Sequence, residues 1–337
     1  MLRLPQFEYH RPTTLDEALS IVGEYEADAR FVAGGTDLIP NMKHRLFEPS
    51  HLIALSSIES LHGIRVDGEV LDIGACETLS RVAAHADVRR VAPALAAAAR
   101  HVAGPQIRNR GTLGGNLCLD TRCTYYNQTE FWRRALGFCL KKDGDVCHVT
   151  RVGRKCVAAH SADTPPVLMV LGAEVEIVGP AGSRRLPVRE MFVADGIHNT
   201  RLEHGEILTR IRIPLRPETV CAYRKLRQRK AVDFPLLTVA VAAERDGDDL
   251  SNVRGVVTGL GSRPRELSGW GDIFASGVLG DEAVEALAER AFAQCHPLEN
   301  AIVDPAWRRA MVTVEVRRAL NELRGAPAPF GSSTPTT

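Results

Sequence analysis

Five of the chain's eight cysteines, Cys118, Cys123, Cys139, Cys147 and Cys156, fall within 39 residues. A cysteine scattered through a chain of a reducing compartment is usually a small buried hydrophobe, and Cys76, Cys221 and Cys295 read that way. A cluster is different, because converging thiolates hold metal. The last four are spaced Cys123-x15-Cys139-x7-Cys147-x8-Cys156. That is neither the close Cys pair of a zinc ribbon nor the tight run of a bacterial ferredoxin. On spacing alone, four thiolates could hold zinc or a cubane iron–sulfur cluster. Two glycine pairs are the second chemical signal: Gly34-Gly35-Thr36 and Gly114-Gly115-Asn116. Glycine lets backbone N–H groups approach an anion closely, and a following helix adds its dipole. Thr36 and Asn116 add side-chain hydrogen bonds to phosphate or ribose. A single Gly-Gly pair is most often only a tight turn. Neither pair fits the G-x-G-x-x-G or P-loop pattern. Two such turns, each leaving a short apolar run, suggest one extended ligand held at two points.

The elements that must carry these residues are legible in outline. Residues 14–25 read as a helix with a Thr14–Glu17 capping box and a Leu15, Ala18, Leu19, Val22 stripe. Arg30–Ala33 is a strand that runs straight into the first glycine turn. A strand at Val70–Ile73 precedes a helix near 78–85, and an alanine-rich helix from Val88 to His101 stops at Gly104-Pro105. The second glycine turn follows, Gly111 to Leu117. Beyond the cysteines, Pro165-Pro166 open a short helix ending near Gly172, and strands follow at 173–178, 184–188 and 207–213. Three more strands are expected at about 220–227, 236–244 and 252–260, and then two helices. The first has Val284, Leu287, Ala288 and Ala291 on one face. The second is capped by Asp304 with Pro305 at N1 and buries Val312, Val316, Leu320 and Leu323. A boundary near 214–219 separates a mixed α+β front, 1–216, from a smaller strands-then-helices back, 217–324. The Pro-, Gly- and Ser-rich tail 325–337 reads as disordered.

Composition narrows the function classes. The chain has 337 residues, 45% hydrophobic, enough for two or three packed domains. A net charge of +1 gives no basic excess for nucleic acid or an anionic membrane surface. No apolar run approaches the roughly 20 residues of a membrane helix. The opening carries Pro5 and Glu8 where a signal peptide needs its apolar core, so a cytoplasmic protein is expected.

Taken together, the run Val32-Ala33-Gly34-Gly35-Thr36-Asp37-Leu38-Ile39, the segment Gly104–Asn109 and the run Gly111-Thr112-Leu113-Gly114-Gly115-Asn116 resemble the FAD-binding medium subunits of the molybdenum hydroxylases. These are the xanthine dehydrogenase and carbon monoxide dehydrogenase family, and the resemblance runs from Tyr9–Pro12 to the last helix. It implies an α+β chain with a PCMH-type FAD-binding fold of two α+β subdomains. A smaller C-terminal α+β domain, an antiparallel sheet plus helices, would follow. It implies FAD with its pyrophosphate on the two glycine loops and Ala103 just upstream of the second. It also implies that Asp163 of Ser161-Ala162-Asp163 contacts the cofactor, that Ile207-Leu208 lies beside the flavin ring, and that Lys225 is a flavin-side lysine. From the residues alone, Lys225 would be a solvated strand charge.

Between Asn116 and Ser161 lie 44 residues, most of them additional to ordinary members, and this insert at about 118–160 holds the cysteine cluster. Zinc gives a flavin electron-transfer protein nothing redox-active, whereas a [4Fe–4S] cluster passes single electrons. The insert resembles that of the 4-hydroxybenzoyl-CoA reductase branch of the family. That resemblance implies a [4Fe–4S] cluster with four cysteine ligands, which we place on Cys123, Cys139, Cys147 and Cys156; Cys118, five residues before Cys123, reads as packed near the flavin loop and not a ligand. It further implies a route from reduced ferredoxin through cluster and FAD to two [2Fe–2S] clusters on a small subunit and molybdenum on a large one. The reaction would be reductive dehydroxylation to benzoyl-CoA. The insert has eight basic and four acidic residues, an excess that would balance an anionic cluster, face an acidic ferredoxin, or simply be solvated. No residue stands out as a proton-transfer catalyst; His101 and His160 flank the FAD motifs but read as structural. The alternative is an ordinary hydroxylase subunit passing electrons to NAD or a quinone, with a zinc-bound insert.

Overall fold

The computed structural model describes residues 2–150 and 153–326. Strand β1 (Glu8–His10) leads into helix α1 (Leu15–Tyr25), then strand β2 (Ala29–Val32), helix α2 (Leu38–Lys43) and strand β3 (His51–Ala54). The three strands form a parallel sheet in the order β1-β3-β2. Helix α1 starts as the sequence requires, with Thr14 accepting from the Glu17 N–H. The return half of the capping box differs. Glu17 accepts from the backbone N–H and hydroxyl of Thr13 instead of from Thr14.

The second subdomain is an antiparallel sheet of β4 (Ile64–Asp67), β5 (Val70–Gly74), β6 (Glu174–Gly179), β7 (Gly182–Pro187) and β8 (Ile207–Pro214), in the order β4-β5-β8-β6-β7. Five helices are packed with it: α3 (Leu79–Ala84), α4 (Ala86–Val91), α5 (Pro93–His101), α6 (Pro105–Arg108) and α7 (Leu113–Leu117). The single helix expected over Val88–His101 is in fact two, split at Ala92. Pro93 has no N–H to continue α4, so it opens α5 at its N1 position. The second glycine turn is likewise the first turn of a helix, capped by Thr112 accepting from Gly115 N–H.

The insert contributes α8 (Glu130–Leu136), ended by Gly137 in the left-handed region at φ 100°. The chain then returns to the second subdomain through α9 (Pro165–Val170). Strands β9 (Thr219–Leu226), β10 (Leu237–Asp246) and β11 (Asp249–Thr258) form an antiparallel sheet, covered by helices Asp281–Gln294 and Pro305–Gly325. All eight residues expected on the inner faces of those helices are buried. The last helix runs through Gly325, one residue into the stretch read as tail; 327–337 lie outside the described residues. Among the described residues no helix is long and apolar enough to cross a membrane.

Candidate functional site

Between the two front subdomains and the third sheet lies a cavity of about 860 Å³, within the size range of cofactor clefts. Of the residues singled out in the sequence, Val32, Ala33, Gly34, Gly35, Thr36, Asp37, Leu38, Ala103, Gly111, Thr112, Gly114, Gly115, Asn116, Asp163 and Leu208 line it. Ile39, Leu113 and Lys225 do not. Ile39 packs under the first loop, Leu113 is wholly buried in the second subdomain's core, and Lys225 sits behind Asp163.

The two glycine loops do different jobs. The first is an open donor array: among the described residues, the backbone N–H groups of Gly34, Gly35, Thr36, Asp37 and Leu38 have no acceptor. Gly35 turns the chain there at φ +70°. Consecutive free N–H groups leading into a helix form an anion-binding concavity. The second loop has already spent its N–H groups. Leu113 donates to Glu77 O, Gly114 to Ala75 O, and Gly115 to Thr112 Oγ1. Its glycines serve close packing: a Cβ on Gly114 would lie 2.8 Å from the Cβ of Ala75. Asn116 is also committed, since its Oδ1 accepts from the N–H (3.1 Å) and hydroxyl (2.7 Å) of Thr164. The loops touch, because a Cβ on Gly34 would fall 2.0 Å from the Arg110 carbonyl oxygen. The second loop therefore holds the first in shape.

Lys225 departs from the solvated strand charge that the residues alone suggested. Its ammonium donates to Asp163 Oδ2 (2.8 Å), His101 O (3.0 Å) and Asp233 O (3.1 Å), which uses all three protons. Tyr223 donates its hydroxyl to Asp163 Oδ1 at 2.7 Å. Burial pushes the Asp163 carboxyl up and the Lys225 ammonium down, each opposed by the other's charge. Asp163 thus lines the cavity with both side-chain oxygens held from behind. Asp37 is engaged too: burial raises its carboxyl, and Arg122 of the insert pairs with it while stacking 4.1 Å over Phe234. Next to Asp163, the buried hydroxyl of Ser161 lines the cavity without a hydrogen-bond partner. That orphaned donor and the free N–H groups fit a phosphate- and hydroxyl-rich cofactor such as FAD.

Neither His160 nor His101 lines the cavity. His160 is bonded through Nδ1 to Thr258 Oγ1 at 2.7 Å, and burial pushes its pKa down to about 3. Burial, aided by Arg227 and Lys225, lowers His101 to about 4. A depressed folded-state pKa contributes stability above the unfolded value near 6.5, lost as pH falls toward the folded value. Stability should therefore fall between about pH 6 and 4, with His160 alone responsible for about 1.4 kcal/mol per pH unit. Thermal melts of His160→Gln across this range should show a shallower slope than wild type; an equal slope would refute the assignment.

Five of the cysteines fall into two places. Cys123, Cys139, Cys147 and Cys156 line one small chamber, while Cys118 lines the large cavity. No three of the four chamber sulfurs lie within 4.8 Å of one another. Burial raises the Cys123 thiol to about 11. At Cys147 burial is outweighed by the nearby backbone N–H groups of Thr150, Val149 and Val157, which lower its thiol. Backbone crowds the sulfurs: a Cβ on Gly196 would sit 2.6 Å from Cys156 Sγ.

The insert is clamped from both sides. Arg133, almost fully buried, donates to the carbonyls of His44 (3.0 Å) and Arg45 (3.1 Å), and Asn300 donates to Val157 O (2.7 Å). Sequence reasoning missed Tyr126 and Lys141, which among the described residues line both chamber and cavity. Lys141 lies 4.5 Å from the Tyr126 ring centre and donates to Asp120 Oδ1 at 2.6 Å, and Tyr126 donates to Asp120 Oδ2 at 3.0 Å. A lysine and a tyrosine in a polar loop carry no such signal. Five of the insert's basic residues pair with acids, Arg122 with Asp37 of the first loop and Arg133, Arg134, Lys141 and Lys142 with the insert's own Asp120, Glu130 and Asp143.

Comparison with known proteins agrees with this geometry. Residues 5–216 match the FAD binding domain in molybdopterin dehydrogenase, and 221–323 match the CO dehydrogenase flavoprotein C-terminal domain. The carbon monoxide dehydrogenase medium chain of Hydrogenophaga pseudoflava is 32% identical over 94% of this chain and 96% of its own. The nicotine 6-hydroxylase medium subunit of Paenarthrobacter nicotinovorans is 27% identical over 95% and 98%. A solved carbon monoxide dehydrogenase from Hydrogenophaga pseudoflava, lacking the Mo-pyranopterin moiety, superposes with a TM-score of 0.78 at 30% identity, covering 96% of this chain and 100% of that one. The chain belongs to the FAD-binding medium subunits of the molybdenum hydroxylase family, an oxidoreductase subunit with an α+β FAD-binding domain followed by the CO dehydrogenase flavoprotein C-terminal domain.

Proposed function

We propose that this chain is the FAD- and [4Fe–4S]-carrying electron-transfer subunit of a molybdenum-dependent 4-hydroxybenzoyl-CoA reductase. It would relay electrons from reduced ferredoxin toward the [2Fe–2S] and molybdenum sites of a small and a large partner subunit. The observation that carries this reading is the four-cysteine chamber sharing the Tyr126–Lys141 wall with the glycine-loop cavity. Two redox groups this close in one chain make a relay, whereas zinc would make the insert a structural elaboration.

The spread of the sulfurs favours the cluster. Tetrahedral Zn–S bonds of about 2.3 Å bring four sulfurs to within about 4 Å of each other. No three of these sulfurs come that close together. A cubane holds its ligand sulfurs farther apart, and the N–H groups turned toward Cys147 are of the kind that tune cluster potential. When bound, FAD supplies the exchange between one-electron and two-electron chemistry. The chain's own part is positional. The first loop's N–H groups bind the pyrophosphate, and Asp163, held by Lys225 and Tyr223, fixes a hydrogen bond to the cofactor. The Lys141–Tyr126 wall lies between the two sites. Phe131 (84% exposed) and Trp132 on α8 give the insert an apolar outer face suited to a redox partner.

An anaerobic preparation tests the reading most directly. Its spectrum should show flavin bands over a broad iron–sulfur absorption, with about four irons per chain. One zinc and no iron would overturn it in favour of an ordinary hydroxylase subunit passing electrons to NAD or a quinone.

A further inference from the structure

Outside the cavity and the cysteine chamber, one other group of metal-ligating side chains converges among the described residues: Glu8, His10 and His51, whose ligand atoms all lie within 4.8 Å of one another. The backbone puts them there. Strand residues two apart share a face, so Glu8 and His10 point the same way from β1, and parallel pairing sets His51 of β3 across from Glu8. His10 Nε2 is 3.0 Å from His51 Nδ1, and His51 Nδ1 is 3.7 Å from Glu8 Oε2. Ligands of a tetrahedral zinc, at about 2.0–2.2 Å from the ion, stand about 3.3–3.6 Å apart, so little rearrangement is needed.

The surroundings suit a cation. The Tyr25 ring stacks on His51 at 3.6 Å and 14°, which fixes the imidazole plane. Both imidazoles are half-buried, while Glu8 stays exposed as the flexible third ligand. We propose that Glu8, His10 and His51 bind one divalent transition-metal ion of the zinc type, which pins the edge strand β1 to β3. Two imidazoles and a carboxylate match zinc, cobalt or nickel better than magnesium or calcium, and leave one position for water. None of the three lines the glycine-loop cavity, so the site is separate from the flavin. Strand β1 has only three residues. An ion that binds the folded arrangement and not the unfolded chain would hold it in place.

Zinc also suits thiolates, so the test is a difference between proteins with the same cysteines. The metal-stripped full chain and its H10A/H51A variant are titrated with zinc at pH 8, with flavin content as the folding control. Wild type should take up one more zinc than the variant, and zinc should raise the Tm of wild type alone. The exposed-ligand variant Glu8→Gln should bind this zinc roughly tenfold more weakly. Equal zinc counts in wild type and H10A/H51A would mean a hydrogen-bonded histidine pair only and would overturn the site. If H10A/H51A fails to hold flavin, Glu8→Gln decides alone, and unchanged affinity there overturns it too.

Discussion

A Gly35→Val chain should purify folded but colourless. Gly35 sits in the middle of the free N–H array at φ +70°, where a β-branched residue is strained by roughly 1–2 kcal/mol or more. The space around it is not closed, since the nearest atom to an added Cβ is Ile39 Cγ1 at 3.2 Å. The loop therefore relaxes by changing φ, not by unfolding the domain, and that rotation swings the neighbouring N–H groups off the pyrophosphate. Flavin affinity should fall at least tenfold, about 1.4 kcal/mol, enough to strip FAD during gel filtration. Gly34→Ala should lose flavin as well and also lower the Tm, because its Cβ would drive into the Arg110 carbonyl and part the two loops. The comparison separates ligand contact from loop packing. Full flavin occupancy in Gly35→Val would remove the first loop from the site.

The second large effect is on iron. Changing Cys123, Cys139, Cys147 or Cys156 to Ser should remove about four irons per chain, since a cubane with one ligand missing is labile. Most FAD should remain, because the glycine loops and Asp163 do not depend on the chamber. Reduction of the flavin by ferredoxin should cease, while reduction by dithionite should persist. Cys118→Ser should retain both iron and flavin, as Cys118 lines the other cavity. Loss of iron in Cys118→Ser alone would show that the ligand set is wrong. Gly196→Ala should act like a mild cysteine variant, since its Cβ would press on Cys156 Sγ from 2.6 Å.

The two predictions rest on features that differ in how far the chain itself announces them. Glycine pairs after a strand and before an apolar run mark a backbone that must come close to something. The amphipathic stripes of 281–294 and 305–325 fix their buried faces by spacing alone. The Asp304-Pro305 start of the last helix follows from local capping, and the structure has it. Short elements were harder. Strands β1, β3 and β4 have three or four residues each, too few for a period to show, and they exist because neighbouring strands offer them partners. Pro93 is visible in the sequence, yet the alanine run that follows it masks a break that a missing N–H imposes.

At the site, the sequence by itself determined which residue types gather: glycine loops, a Ser-x-Asp, and four thiols apart from a fifth. Their chemistry is intrinsic to side chain and backbone and needs no neighbours to be read. Only the tertiary structure decided how the work is shared. It left the first loop's N–H groups free and used up the second's, because Ala75 and Glu77 arrive as acceptors from far along the chain. It buried Lys225 against Asp163 and gave Tyr126 and Lys141 a wall in common with both chambers. It also set His51 beside Glu8 and His10. Each of these depends on which distant atom fills the remaining hydrogen-bond valence of a buried group. That is a property of packing, and no local pattern encodes it.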